Sequence, residues 1–149
     1  MTNTTVLSRV SDLLGSAEET VLDPDSVGLM RALGHATVAA TLNPAKVVEA
    51  NARWVIGSAT AAQATVARAF GVDAEGPIPV AKGDRRFADP AYQDNPAYFY
   101  TAQQYLLFER AVAELVEAAG LSGELGAKAR FASRFVTDML SPSNNLFGN

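Results

Sequence analysis

The fold class is decided by residues 95–120, which read NPAYFYTAQQYLLFERAVAELVEAAG. Apolar side chains recur there at steps of three and four residues, and charged side chains fall between them. Asparagine is a favoured helix N-cap and proline is tolerated at the first helical position, so Asn95 and Pro96 predict where the helix starts. We therefore expect a long amphipathic helix that ends near Gly120. Its apolar positions are Tyr105, Phe108, Val112, Leu115, Val116 and Ala119.

Related patterns predict helices on both sides of this one. Asn43 and Pro44 repeat the start, and the helix after them is expected to reach Phe70, where Gly71 closes it in a left-handed conformation. Further helices are expected over 27–42 and from the turn after Gly120 to Ser141 and Pro142. Two apolar stripes are expected to be core: Val47, Trp54, Val55, Ser58, Ala62, Val66, Ala69 and Phe70 in one, and Phe131, Ala132, Phe135, Val136, Met139 and Leu140 in the other. No window alternates with period two between hairpin turns, so we predict an all-α domain of four or five helices.

A long connector over residues 71–96 interrupts the helices. It reads GVDAEGPIPVAKGDRRFADPAYQDNP, and its three glycines and four prolines exclude a long helix or a central strand. A connector of this length is normally functional or disordered. Phe87 and Tyr92 favour a docked connector, because aromatic rings bury well and mobile linkers contain few of them.

Composition narrows the function classes. The chain has 149 residues, a formal net charge of −4 and 48% hydrophobic residues, which is typical of one globular domain without the basic face of a nucleic-acid binder. It has no cysteine, which excludes disulfides and thiol catalysis. No signal peptide and no apolar run of about 20 residues is present, so we expect a cytoplasmic protein without a transmembrane segment. Residues 1–22 form an acidic arm that we expect to be partly flexible.

No pattern in the chain indicates a metal, cofactor or catalytic site. The single histidine, His35, cannot form a zinc site alone, and neither a phosphate-binding glycine loop nor a G-x-S-x-G or G-x-C-x-G turn occurs. Arg85 and Arg86 suit a phosphate, but one arginine pair without a helix N-terminus is a weak signal. We favour the alternative that these arginines tether the connector to carboxylates. No cofactor is expected.

Five short motifs carry a family resemblance. They are GDRRFADP at 83–90, the Asn95–Pro96 start, QYLL at 104–107, ARFA at 129–132 and SPSN at 141–144. In this order they are similar to the N-terminal domain of the poly(3-hydroxyalkanoate) synthases, also called poly-beta-hydroxybutyrate polymerases, and the resemblance extends from about Asp23 to the last residue. Two positions depart from the family pattern: Tyr92 stands where tryptophan is common, and Asn145 where phenylalanine is common.

The resemblance implies a helical, non-catalytic domain over 23–149. In the family, a cysteine in a later α/β-hydrolase domain polymerises 3-hydroxyacyl-CoA, so the parent protein is expected to be an acyltransferase of which this chain is a part. The implied role is to support dimerisation and activity of that domain, and attachment to cytoplasmic polyester granules or their surface proteins, in polyhydroxybutyrate biosynthesis. Candidates for family-motif or interdomain docking residues are Asp84, Arg85, Arg86, Phe87, Asp89, Pro90, Tyr92, Asn95, Pro96, Tyr105, Ser141, Pro142, Ser143 and Asn144.

Two alternatives stay open at this point. The first is a stand-alone helical protein that is associated with granules or regulates a synthase. The second is a general protein-interaction domain. Aromatic residues between Tyr92 and Phe108 are expected to be mainly core, while Phe99 and Tyr100 are left as contacts to a partner protein or to the polyester surface.

Overall fold

The computed structural model describes residues 24–142, so the acidic arm and the candidates Ser143 and Asn144 lie outside the described residues, as does Asn145. Within 24–142 the chain forms α-helices, one 3₁₀ turn and no strand, which confirms the all-α prediction. The elements are α1 (Pro24–Thr41), α2 (Pro44–Ala69), the 3₁₀ turn (Arg85–Phe87), α3 (Ala91–Asp94), α4 (Pro96–Ala118) and α5 (Gly123–Met139).

Helix ends follow the local chemistry that the sequence indicates. The Asn95 side chain accepts a hydrogen bond from the Ala97 N–H at 2.9 Å and caps α4. Gly71 follows α2 with a φ of +81°, a left-handed conformation that favours glycine. Helix α1 begins at Pro24, three residues before its predicted start.

Of the described residues, the first of two compact units combines 24–48 with Ala113–Val136. Its core consists almost entirely of small side chains, which let helices approach closely. The Asn43 side-chain amide, just before α2, also donates a hydrogen bond to the Ala118 carbonyl at the end of α4, at 2.9 Å. The buried core residues are Ala32, Ala36, Ala39, Ala40, Val116, Ala119 and Ala129.

The second unit combines Glu49–Val112 with residues 137–142. Its core is aromatic: Phe87 contacts Tyr92 edge-on, with ring centroids 5.1 Å apart, and lies 5.8 Å from the Tyr105 ring. Tyr92 in turn meets Tyr98 edge-on at 5.6 Å. Such aromatic pairs stabilise a core beyond the area they bury. The connector is therefore docked, as Phe87 and Tyr92 predicted.

The two predicted apolar stripes of α2 and α5 are largely wrong as core. Val55 is 58% exposed, Phe70 83% and Phe135 54%. Of the predicted α5 stripe Ala132 is buried, as expected. Otherwise α2 buries Gly57, Ala61 and Ala64, and α5 buries Ala129, Ser133 and Thr137. These helices pack through small side chains, and the larger apolar side chains consequently point outward.

Candidate functional site

Two side chains hold the first half of the connector. The Gln103 amide of α4 donates to the Ile78 carbonyl at 2.9 Å and accepts from the Ile78 N–H at 3.1 Å. Arg68, near the end of α2, donates to the Ala74 and Gln93 carbonyls at 2.7 and 2.9 Å, and its guanidinium lies 4.1 Å from the centre of the Phe99 ring. Main-chain groups of the connector that no helix or strand satisfies are thus paired by side chains.

The second half of the connector is held by what we call the Arg86 network, which comprises Asp84, Arg86, Tyr105, Glu109 and Asp138. Arg86 binds Asp84 through two nitrogens, at 2.9 and 2.8 Å, and donates to the Tyr105 hydroxyl at 2.9 Å. It also reaches Glu109 at 3.3 Å and Asp138 at 3.2 Å. One planar guanidinium therefore joins the connector to α4 and to the last turn of α5.

Electrostatics in the network are dominated by the Asp84–Arg86 pair. The hydrogen bonds from Arg86 lower the pKa of the Asp84 carboxyl, and the same contact raises the pKa of Arg86, with Glu109 adding to it. Asp84 also accepts from the Arg86 backbone N–H at 3.1 Å and so caps the 3₁₀ turn. Three carboxylates contact the Arg86 guanidinium, and the formal charge of these four groups is −3 + 1 = −2.

Tyr105 connects the network to the end of α5. Its hydroxyl donates to the Thr137 carbonyl at 3.0 Å while accepting from Arg86. Burial is the main cause that raises the pKa of this hydroxyl. The Thr137 carbonyl also accepts from the Leu140 N–H at 3.0 Å, so the bond from Tyr105 is a second contact at the end of α5.

The other predicted residues serve turns and caps around the network. Asp89 accepts from the Ala91 N–H at 2.8 Å at the start of α3, next to the exposed Pro90. The Arg85 carbonyl accepts from the Ala88 N–H at 3.4 Å, while its side chain is exposed and has no hydrogen bond or ion pair in the described part of the chain. At the end of α5, Ser141 is completely buried and Pro142 is half-buried. The structure thus brings together Asp84, Arg86, Phe87, Tyr92 and Tyr105. Arg85, Asp89, Pro90, Asn95 and Pro96 belong to the turns and helix starts beside this cluster, and Ser141 and Pro142 follow the end of α5.

A cavity of about 660 Å³ lies beside the connector in the second unit. Tyr92, Phe99 and Gln103 line it together with Arg68 and Asp94. Its walls contain no serine, cysteine or histidine, and they include the carboxylates of Asp73, Glu75 and Asp94. Over residues 24–142 no group of acidic or histidine side chains is arranged to hold a metal ion, and no helix is long and apolar enough to cross a membrane.

Four residues of the site were missed in the sequence: Arg68, Gln103, Glu109 and Asp138. Glu109 carries a usable signal, because it follows Tyr105 by four residues on α4 and must lie on the same side of the helix. Arg68, Gln103 and Asp138 carry none. Each of them bonds to a residue at least 25 positions away in the sequence. Arg68 bonds to Gln93, Gln103 to Ile78, and Asp138 to Arg86.

Comparison with protein families gives a match over the same region. Residues 83–149 match the family model described as "Poly-beta-hydroxybutyrate polymerase (PhaC) N-terminus". The whole Arg86 network lies within the matched residues. The resemblance seen in the sequence is therefore confirmed for this part of the chain.

Curated relatives agree with the family match. The chain is 38% identical over 77 residues to the poly(3-hydroxyalkanoate) polymerase subunit PhaC of Cupriavidus necator, covering 52% of this chain and 12% of that protein. It is 35% identical over 63 residues to the poly(3-hydroxyalkanoate) polymerase 2 of Ectopseudomonas oleovorans, covering 42% of this chain and 11% of that protein. In both cases the similarity spans a small fraction of the relative's length. No solved structure matches the chain significantly.

Proposed function

We propose that this chain is the non-catalytic N-terminal region of a poly(3-hydroxyalkanoate) polymerase, an acyltransferase that polymerises 3-hydroxyacyl-CoA on granules in the cytoplasm. Its role is to support the activity and dimerisation of the catalytic domain and the attachment of the enzyme to the granule. The match over residues 83–149 supports this assignment. The single observation that carries the supporting role is the Arg86 network, which lies wholly within that match.

The network suits a region that positions a following domain. Arg86 binds Asp138, and Tyr105 binds the Thr137 carbonyl, so both hold the last turn of α5. Ser141 follows and is fully buried. These contacts fix where the chain leaves the helix, and a domain attached there would start from a defined position.

Catalysis must come from elsewhere in the polymerase. The 149 residues contain no cysteine, and so they cannot supply a thiolate nucleophile. This region would then affect the reaction through the position and stability of the catalytic domain.

The coding DNA beyond Asn149 gives the first test. A reading frame that continues into a G-x-C-x-G turn supports the proposal, and a stop codon at that point contradicts it. The second test is Arg86→Gln in the resulting polymerase, assayed with 3-hydroxybutyryl-CoA. We expect a lower polymerisation rate without loss of the thiol that reacts with iodoacetamide, whereas Arg85→Gln should keep the parent rate.

A second candidate, a stand-alone helical protein bound to granules, is favoured by two exposed aromatic rings. Phe131 and Phe135 are 60% and 54% exposed and lie one turn apart on α5. Pelleting of the chain with purified polyhydroxybutyrate granules tests it. The double variant Phe131→Ser/Phe135→Ser should bind less, and Glu124→Ser, an exposed change on the same helix, should bind as before. Binding that is equal for all three chains would contradict this candidate.

A further inference from the structure

The cavity beside the connector, which we call the connector cavity, has an aromatic and aliphatic lining. The rings of Phe87, Tyr92 and Phe99 belong to residues that are at most 7% exposed, and Ile78 and Val80 add aliphatic side chains. Its volume of about 660 Å³ lies within the range of about 300–1,000 Å³ that is usual for small-molecule sites. The lining suits a ligand that buries a ring or a short aliphatic chain.

The charged residues of the connector cavity are mainly acidic. Asp73, Glu75 and Asp94 line it. Arg68 is its one basic residue, so the formal charge of these four groups is −3 + 1 = −2. The Arg68 guanidinium donates to two backbone carbonyls and lies 3.5 Å from Asp73. Glu75 and Asp94 are exposed, and their side chains have no hydrogen bond or ion pair in the described part of the chain. Two carboxylates are therefore available to a ligand.

Arg68 also shows that this wall accepts a cation. Its guanidinium lies 4.1 Å from the centre of the Phe99 ring, which is a cation–π contact. An anionic ligand such as a carboxylate or a CoA thioester would instead meet a net negative charge. A positively charged group on an apolar body matches both the aromatic lining and the two available carboxylates.

The arrangement of the carboxylates favours an organic cation over a metal ion. Ca²⁺ and Mg²⁺ need several oxygen ligands around one point. Over residues 24–142 no group of acidic or histidine side chains is arranged in that way. An ammonium or a guanidinium needs only one or two carboxylates, and its hydrocarbon part can lie against apolar side chains.

Tyr92 gives a second, independent reason to expect a ligand. It lines the cavity and is 7% exposed, and its hydroxyl is buried without a hydrogen-bond partner among residues 24–142. Buried polar groups in folded proteins are nearly always paired, so an unpaired one calls for a partner. A hydrogen-bond donor on a bound ligand would supply that partner, and an ammonium carries three such donors.

We propose that the connector cavity binds an amphipathic organic cation, an ammonium or guanidinium group carried on an aromatic or aliphatic body. The body contacts Phe87 and Tyr92, and the charged group pairs with Glu75 and Asp94. This site goes beyond the proposed function and does not rest on it. None of its lining residues belongs to the Arg86 network, and those from Arg68 to Val80 precede the residues that match the polymerase family.

Three probes of similar size test the need for a positive charge. Phenethylamine, phenethyl alcohol and hydrocinnamate each carry a phenyl ring on a short chain, which ends in an ammonium, a hydroxyl or a carboxylate. A heteronuclear NMR titration of the chain at neutral pH and low salt gives both the affinity and the place of binding. We expect phenethylamine to shift the amide signals of Gly76, Ile78 and Val80. It should bind at least about tenfold tighter than the alcohol, since cation–π contacts and ion pairs add to the burial of the ring. Hydrocinnamate should bind more weakly than the alcohol.

Variants of the lining separate the charge from the fold. Glu75→Gln/Asp94→Asn should lower the affinity for phenethylamine to that for the alcohol and leave the affinity for the alcohol unchanged. Both positions are exposed, so circular dichroism should show the helix content of the parent chain. Glu49→Gln, at an exposed carboxylate of α2 outside the cavity, should bind phenethylamine as the parent chain does. Tyr92→Phe removes only the hydroxyl and should weaken phenethylamine binding at least about threefold.

A short peptide identifies the source of the cation. Acetyl-Lys-Phe-amide carries the same ring and an ammonium on a peptide backbone. Tighter binding of this peptide than of phenethylamine would assign the cation to side chains of a partner protein, and weaker binding would assign it to a free amine. Both results support the site. Absence of shifts in the connector signals with phenethylamine, equal affinities for the amine and the alcohol, or an unchanged amine affinity in Glu75→Gln/Asp94→Asn would overturn the proposal. The polymerase assays of Arg86→Gln would be unaffected by any of these results.

Discussion

Arg86 illustrates how one residue can tie together distant parts of a chain. Removing its guanidinium breaks the ion pairs that Arg86 makes with Asp84, Glu109 and Asp138. We expect Arg86→Ala to lower the free energy of unfolding by about 2 kcal/mol, a value reduced for the partial exposure of the side chain. Urea denaturation measures this loss. Arg85→Ala, at an exposed position next to it, should change stability by less than about 0.5 kcal/mol, and equal losses would show that the network does not stabilise the fold.

Asp84 makes part of this stability depend on pH. Its pKa is lower in the folded chain, through the hydrogen bonds from Arg86, than in the unfolded chain. Such a group stabilises the fold above the unfolded pKa of about 3.9 and loses that contribution as the pH falls through the folded value. The free energy of unfolding should therefore fall on acidification below about pH 4, and Asp84→Asn should flatten that fall. Asp73→Asn, at a carboxylate that is 97% exposed, should keep the slope of the parent chain.

Tyr92 differs from the paired groups of the Arg86 network, because its buried hydroxyl has no hydrogen-bond partner among residues 24–142. Burial raises its pKa, with Tyr98 and Asp89 adding to the effect. Because an unsatisfied buried polar group costs about 1–3 kcal/mol, Tyr92→Phe should leave thermal stability unchanged or raise it. Tyr105→Phe removes the same atom but loses bonds to Arg86 and Thr137, and so it should lower the melting temperature. A lower melting temperature for Tyr92→Phe would reveal a partner of that hydroxyl.

Among the structural elements, the connector depends on close contact with α4. A Cβ atom at Gly76 would overlap the Gln103 amide, which two hydrogen bonds to Ile78 hold in place. Gly76→Ala should therefore cost about 1–3 kcal/mol, measured by chemical denaturation. Gly28→Ala in α1 is the control, because the nearest atom to its Cβ is 3.9 Å away and alanine favours a helix. A loss at Gly28 as large as that at Gly76 would argue against the amide contact as the cause.

The sequence predicted which segments form helices, but it did not predict which face of each helix is buried. The spacing along α4 and the cap at Asn95 indicated that helix correctly, since both are local signals. In α2 the larger residues suggested a core stripe, whereas the helix buries Gly57, Ala61 and Ala64. Hydrophobicity ranks large side chains as core, while close helix approach selects small ones, and only the tertiary structure shows which of the two prevails.

At the scale of the whole molecule, long-range polar contacts were the least predictable feature. Arg86 lies 52 residues from Asp138, and a single sequence does not show that the two meet. The arginine pair itself suggested carboxylate partners, and the structure shows Arg86 in that role and Arg85 exposed. The carboxylate partners were thus anticipated from the residue type, whereas the sequence did not show which of the two arginines would bind them.

The two hydrogen bonds between the Gln103 amide and the Ile78 backbone have a consequence for hydrogen–deuterium exchange. Pro77 and Pro79 have no backbone N–H, so Ile78 carries the only amide proton in this stretch, and Gln103 accepts it. Amide protons in irregular segments usually exchange fast, yet this one should exchange as slowly as protons inside a helix. Slow exchange of the Ile78 amide proton alone in this segment would show that the connector stays bound to α4 in solution.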